Sequence, residues 1–441
     1  MWNGVTMAET DTTPFNELFA VPLRNGLTRP KAVRGSGLKM INMGEIFAHD
    51  RIKSIPMDRV LIGEREQESC LLEPGDLLFA RQSLVLAGAG KCSILLEADE
   101  PITFESHIIR ARIDRMSADP LFYFYFFRSR MGRGAIESIV EQVAAAGIRG
   151  SDLANLEVPK PPLSEQRAIA HILGTLDDKI ELNRKMNETL EAMARAIFKS
   201  WFVDFDPVRA KAEGRDTGLP KEIADLFPDS VDGSALGEIP KGWKVGILAA
   251  LASLNPETWS NETRPEVINY IDLSNTKWGR IDVITAYQKQ HAPSRAQRIL
   301  RPRDTIVGTV RPGNGSYAFI FENGLTGSTG FAVLRPLRLE YAEFVYLAAT
   351  AAENIEELSH LADGAAYPAI RPEVVAATQI FRPSEDVLER FSRVTSPLLA
   401  KVAENERESH TLAALRDTLL PKLISGELRV KDAEKFVERV P

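Results

Sequence analysis

The feature that most constrains this chain is that it repeats itself. Residues 148–202 lie on 370–424 at a constant shift of 222, without a gap. Under that shift Ile148-Arg149 meets Ile370-Arg371, Pro161 meets Pro383, Leu176 meets Leu398 and Lys179 meets Lys401. Asn183 then meets Asn405, Leu190 meets Leu412, Ile197 meets Leu419, and upstream Ser106 meets Ser328. The turn-like Leu72-Glu-Pro74-Gly-Asp76 meets Leu300-Arg-Pro302-Arg-Asp304 at a shift of 228. The two shifts differ by six, so the first copy carries six extra residues between Asp76 and Ser106. A correspondence of this length implies a tandem duplication, each copy a mixed lobe followed by a helix.

The helix is written in its spacing. Ile169, Leu173, Leu176, Ile180, Asn183, Asn187, Leu190, Ala194, Ile197 and Trp201 recur at alternating steps of four and three. That is a coiled-coil seam over four heptads. Ser164 is the expected N-cap, Glu165 suits the first turn, and Pro207 is expected to stop the helix. The span is then about 38 residues, or roughly 57 Å at 1.5 Å per residue. The second copy carries Phe391, Leu398, Val402, Asn405, Leu412, Leu419 and Leu423 in equivalent places, and Gly426 ends it. Ser396-Pro397 reads there as a helix restart. A single stripe of this kind is as well explained by a core-facing helix. Two in one chain, each with an asparagine at the same seam position, favour an antiparallel pair in which Asn183 and Asn405 set the register.

The lobes read differently. Short β-rich runs such as Asp76-Leu-Leu-Phe-Ala80, Ile306-Val-Gly-Thr-Val310 and Tyr317-Ala-Phe-Ile-Phe321 are separated by Gly, Pro and Asn clusters. Leu121–Phe127 fits a buried strand or a core helix equally. Between the copies, Asp206–Gly242 has no period and reads as a surface connector. At 441 residues with 44% hydrophobic and 26% charged content, the chain has the composition of globular domains. The class is α+β: a tandem repeat of two mixed, β-rich domains separated by two long antiparallel coiled-coil helices.

Several chemistries find no support. Cys70 and Cys92 are the two cysteines, too few for a disulfide framework or a four-thiolate metal site, and they suit the reducing cytoplasm. The start shows no secretory signal, and Leu121–Phe127, the longest apolar run, falls far short of a membrane span. Gly88-Ala-Gly90-Lys91-Cys92 lacks the spacing and the Ser/Thr of a phosphate loop. Asn255-Pro256-Glu257 is not the Asn-Pro-Pro-aromatic element of an amino-methyltransferase. No metal-ligand spacing or nucleophile elbow is visible, so the expectation is a non-catalytic chain.

Local charge is more informative than the net charge of −7. Arg24, Arg29, Lys31, Arg34 and Lys39 share an acid-free stretch, and Arg128, Arg130 and Arg133 form a second group. In the second lobe Arg295, Arg298, Arg301, Arg303 and Arg311 share theirs only with Asp304. Such runs are often merely solvated faces. The functional alternative is a phosphate-contacting rim with polar loops reading base edges. In Arg311-Pro-Gly-Asn314-Gly-Ser316-Tyr317, Arg and Asn offer bidentate base contacts and the glycines allow close approach, although an ordinary hairpin turn explains the loop too. The candidate DNA-binding set is Arg24, Lys31, Arg34, Arg81, Gln82 and Lys91, with Arg295, Arg298, Arg303, Arg311, Asn314, Ser316 and Tyr317.

Three segments carry a family resemblance. Pro161-Pro-Leu-Ser-Glu165-Gln166, then Ile169-Ala-His-Ile-Leu173 and Leu176-Asp-Asp-Lys-Ile-Glu-Leu-Asn183, resembles the first conserved region of type I restriction–modification specificity subunits. Trp201-Phe-Val-Asp-Phe-Asp-Pro207, Leu226-Phe-Pro228 and Gly237-Glu-Ile-Pro-Lys-Gly-Trp243 resemble that family's central linker. Leu415-Arg-Asp-Thr-Leu-Leu-Pro421-Lys-Leu-Ile-Ser-Gly426 is similar to its C-terminal conserved region. The resemblance implies an N-terminal tail at 1–14, target recognition domains at 15–162 and 241–385, and conserved helices at 163–206 and 386–428. A linker at 207–240 and a tail at 429–441 complete the layout. It implies double-stranded DNA as ligand, each domain reading half of a bipartite, gapped target, with half-sites about one turn (roughly 34–36 Å) or a multiple apart. It further implies two methyltransferase subunits and restriction/translocase subunits as partners, and no membrane. S-adenosylmethionine, ATP and Mg²⁺ would belong to those partners, with no cofactor bound directly. A specificity factor of a nuclease-free modification system, or a coiled-coil scaffold for proteins, remain the alternatives.

Overall fold

The computed structural model describes residues 11–142, 146–234, 237–260, 262–364 and 367–437. The chain divides into two compact units, one of 1–182 with 408–441 and one of 183–407. Each unit holds one lobe and one half of each long helix. The fold class is α+β, as the sequence implies.

The two lobes share a strand order. In the first, a sheet runs Phe19–Asn25, Ile108–Ile113, Leu77–Ala80, Cys92–Leu95, Arg51–Ile52. In the second, Ala252–Leu254, Phe331–Pro336, Thr305–Gly308 and Tyr317–Phe319 follow the same sequence of neighbours. A parallel pairing is repeated too, Arg34–Ile41 with Ile102–Phe104 and Val267–Ile271 with Leu325–Ser328. Such strands are short because turns punctuate them, and in the central ones every residue is buried, so no polar face shows in the sequence.

Leu121–Phe127 resolves as helix. Asp119 accepts from the Leu121 and Phe122 amides, Pro120 opens the first turn, and the helix runs Pro120–Arg128. Phe122 to Phe127 are all buried, so this helix is enclosed on every side. Its counterpart Ala342–Ala349 is likewise buried throughout.

The long helices span Leu163–Phe202 and Glu385–Ile424, 40 residues each. In the first unit Asp177 accepts from Arg416 at 2.6 Å and Lys179 pairs with Glu408 at 3.3 Å. In the second, the Asn183 amide donates to the Asn405 carbonyl (3.4 Å) and Asn187 to that of Val402 (3.2 Å). Asn405 donates to the Asn187 side-chain oxygen at 2.8 Å. As one number rises the other falls, which is antiparallel pairing within each unit. Ile169, Leu173, Leu176, Val402, Leu412 and Leu419 are buried, whereas Ile180, Leu190 and Ile197 are half-buried.

Several sequence expectations need correction here. The helix begins at Leu163, with the Pro162 carbonyl accepting from Glu165 and Gln166, so Ser164 lies inside it and is not the cap. It ends at Phe202, and Pro207 instead sits in the first turn of the next helix, Asp206–Ala212. Ser396-Pro397 restarts nothing: the second helix runs through it, because Pro397 lies on the exposed side while Phe391, Thr395 and Leu399 are buried. Leu399, not the half-buried Leu398, is the core residue at that turn. The connector is not a mere surface segment. Its Val208, Ile223, Phe227 and Ile239 are buried, and Phe227 stacks edge-on against Trp201 at 5.1 Å.

Removing one asparagine should expose the seam's dependence on amide pairing. Asn405→Ala removes the buried Asn405 amide and leaves the half-buried Asn187 oxygen without that donor, so a loss of ~1–3 kcal/mol is expected in denaturant unfolding. A loss under a few tenths would show that water replaces the amide.

Candidate nucleic-acid interface

The duplication builds one hairpin loop twice. In the first lobe residues 80–91 lie between the paired Phe79 and Cys92; in the second, 308–316 lie between Val307 and Tyr317. The loops close alike: the Ala80 amide donates to Lys91 O (2.9 Å), the Gly308 amide to Ser316 O (2.7 Å). Gly90 and Gly315 hold matching left-handed conformations, φ 68° and 66°. Both loops dock on the same downstream segment, Ile148 N donating to Arg81 O and Ile370 N to Thr309 O, each at 2.9 Å.

In the second lobe this loop presents Arg311 and Asn314, both exposed. Arg311 sits at φ 49°, a conformation unusual for a side-chain-bearing residue, held by its amide donating to Pro368 O at 2.7 Å. Its guanidinium lies 4.7 Å from the centre of the exposed Tyr367 ring. The Trp278 amide donates to Gly315 O at 2.6 Å, and a Cβ on Gly315 would stand 2.6 Å from the indole. Only glycine fits there. Ser316 and Tyr317, by contrast, are turned inward. The Ser316 hydroxyl donates to Leu273 O (3.1 Å), and Tyr317 is buried under Trp278 with Arg195 over its ring.

The other candidates are scattered in their roles. Arg303 pairs with the buried Glu343 at 2.9 Å and reaches Ser396 at 3.3 Å, so it ties lobe to helix. Arg301 is held by Glu257, whose carboxyl hydrogen bonds from Arg301 and then Arg335 keep down at about 2. Arg298 is half-buried beside Thr258, and burial lowers its pKa. In the first lobe the acid-free stretch finds its acids elsewhere: Arg34 meets Asp58 (2.8 Å), Arg29 meets Glu66 (2.6 Å) and Lys39 meets Asp99 (3.0 Å). Arg24 donates to the Cys70 sulfur at 3.3 Å. Lys91 and Arg128 share Asp50, at 3.1 and 2.6 Å. Lys31, Arg81, Arg130 and Arg295 have no ion pair among the described residues, and Gln82 is exposed.

The Gly88–Lys91 segment is not a phosphate cradle. The amides of Gly88, Ala89, Gly90 and Lys91 all donate to backbone carbonyls within the hairpin. No cluster of three His, Cys, Asp or Glu suited to a metal occurs among the described residues, nor any helix long and apolar enough to cross a membrane. Cys70 and Cys92 are buried free thiols. Sequence reasoning missed Trp278 and Tyr367, which the fold brings to the loop from 30 or more residues away, and it missed the apolar tip of the first loop. The extra residues of the first copy were the available signal for that tip.

Comparison with known proteins bears on this arrangement. Residues 33–192 match the family described as the type I restriction modification DNA specificity domain. The type I restriction enzyme MjaIX specificity subunit of Methanocaldococcus jannaschii is 25% identical over 388 residues, covering 84% of this chain and 82% of that protein. The HindI specificity subunit of Haemophilus influenzae is 27% identical over 330 residues, covering 63% and 70%. The crystal structure of a type I system S subunit from M. genitalium shares the fold, with TM-score 0.57 and 17% identity over 94% of this chain and 96% of that one. The resemblance read from the conserved segments is thereby shown.

Proposed function

We propose that this chain, similar over most of its length to specificity subunits of type I restriction enzymes, is the subunit that selects the DNA target of such an enzyme. It reads a bipartite, gapped double-stranded sequence, one half with each lobe. The duplicated hairpin carries this reading: one rigid loop, built twice by the same backbone bonds, with Arg81 and Gln82 at one rim and Arg311 and Asn314 at the other. Arginine and asparagine are the side chains that pair bidentately with guanine and adenine edges.

The chain is the non-catalytic member of its complex. Methylation of adenine, translocation and cleavage fall to two methyltransferase subunits and to restriction/translocase subunits, which hold S-adenosylmethionine, ATP and Mg²⁺. Pro161-Pro162 and Pro383, equivalent under the duplication, mark two junctions for two copies of one partner, related by approximate two-fold symmetry. The compartment is the cytoplasm, where host DNA lies. A nuclease-free modification system would use the same chain in the same way, and a protein-binding scaffold would not need DNA at all.

The experiment is a gel shift of the chain with its methyltransferase on a duplex carrying the motif methylated in the host. Affinity should fall steeply between 50 and 200 mM salt, as phosphate contacts require; a salt-independent or absent shift would leave the scaffold. Arg311→Ala should cost ~1–3 kcal/mol and relax one position of one half-site. A uniform loss on all sequences would make Arg311 a phosphate contact, and no loss would leave an ordinary hairpin turn.

A further inference from the structure

The first loop is three residues longer than the second, as the paired ends Phe79–Cys92 and Val307–Tyr317 show. Its tip is Leu84-Val85-Leu86, and these side chains are exposed at 98%, 63% and 46%. The tip is not loose. Arg133 donates to Leu86 O (3.0 Å) and Ala89 O (2.8 Å), and the Val85 amide donates to the Ser83 hydroxyl at 3.2 Å. A fixed turn that holds a leucine in water forgoes the ~1.5–3 kcal/mol that burial would contribute, and no bond among the described residues requires it. The loop and its flank carry Arg81, Lys91 and Arg133 beside Asp50 and Glu137, and Arg81 has no ion pair among the described residues.

We propose that Leu84, Val85 and Leu86 form an apolar base-contacting tip that enters a DNA groove and reads thymine methyl groups in the half-site of the first lobe. The inference rests on the DNA-reading function proposed above. What places DNA there, in preference to a protein, is the equivalence of the loops. The same strand pair, the same left-handed glycine and the same docking bond carry an apolar tip in one copy and Arg311 with Asn314 in the other. If the second loop meets base edges, the first meets them too, with different chemistry. Thymine is the base whose major-groove edge presents a methyl group, and apolar side chains recognise it by contact. The flanking cations then meet phosphates on either side.

The test uses the full chain with its methyltransferase and duplexes carrying the host's methylated motif. The triple variant Leu84→Ser, Val85→Ser, Leu86→Ser should bind ~10-fold or more weakly and relax a T·A position in one half. Its salt dependence should match wild type, since no phosphate contact is lost, and Arg311→Ala should relax the other half. Deoxyuridine, which lacks the methyl, placed at that T should weaken wild type by the same factor and leave the variant unaffected. The wild-type arm of this second measurement needs no altered protein. Equal binding by variant and wild type, or indifference of wild type to deoxyuridine at every position, would overturn the proposal. So would a variant that loses its methyltransferase while keeping its DNA specificity, which would make the tip a protein contact. Wild type that fails to prefer the motif over a scrambled duplex would instead take down the DNA-reading function itself.

Discussion

Asp304→Ala is expected to destabilise the second unit by ~3–5 kcal/mol, and Asp76→Ala to do the same in the first. Both aspartates are buried, at 0% and 1% exposure. Each closes its own turn by accepting a backbone amide, Arg301 N at Asp304 and Glu73 N at Asp76, at 2.8 Å. Each then takes a bidentate guanidinium from the neighbouring strand. Arg335 reaches Asp304 through Nε and Nη2 at 2.9 Å, and Arg112 reaches Asp76 likewise at 2.8 Å. Truncation leaves a partly buried arginine without its main counter-charge and a turn without its closing acceptor. Arg335 retains Glu257 and Arg112 retains Glu73, so the low end of the range is expected where those partners follow the guanidinium inward. Denaturant unfolding with hydrogen exchange should place the loss in 183–407 for Asp304 and in the other unit for Asp76. A loss below ~1 kcal/mol at both sites would mean that the pair is solvated and that strand pairing alone holds the turn.

That aspartate illustrates what the sequence carries openly and what it hides. Leu-x-Pro-x-Asp is legible as a turn, and its recurrence locates the start of a strand in each copy. Its arginine is not legible, because cross-strand partners 30 or so residues apart obey no local period. The long helices are legible for the opposite reason: their burial repeats every 3.5 residues. Proline misleads at two points, since it tolerates the first turn of a helix and even a solvated helical face, as Pro207 and Pro397 do. The connector misled because its buried aromatics are sparse. Phe227 and Trp243 acquire meaning only when Trp201, Phe202 and Phe205 are brought beside them. In the site, Arg311 and Asn314 were readable as a glycine-flanked polar loop. Ser316 and Tyr317 lead into a strand buried on both faces, where alternation says nothing about which side chains point outward.

Exchange of the second lobe is expected to rewrite one half of the methylated motif and to leave the other half and the gap unchanged. The chimera would carry 241–385 from a relative and keep the rest of this chain. Lys244–Ile247 pairs with Gln379–Arg382, so the exchanged segment brings both strands of the sheet that closes the lobe. It does not bring the whole core. Phe202 stands 4.9 Å from both Phe344 and Phe391, and Phe205 stacks on Trp243 and Phe381 at 5.8 and 5.3 Å. A donor lobe must therefore supply aromatic residues at 243, 344 and 381, or the graft leaves cavities against the retained helices that cost several kcal/mol. With those seats kept, specificity should transfer, because base contacts are local to a loop and energies at well-separated positions are roughly additive. Sequence-dependent bending couples neighbouring steps and would act first on the gap. The measurement is the methylated motif of a host expressing the chimera. A motif changed in both halves would show that the lobes read the duplex jointly, and the reading of one half-site by each lobe would be wrong.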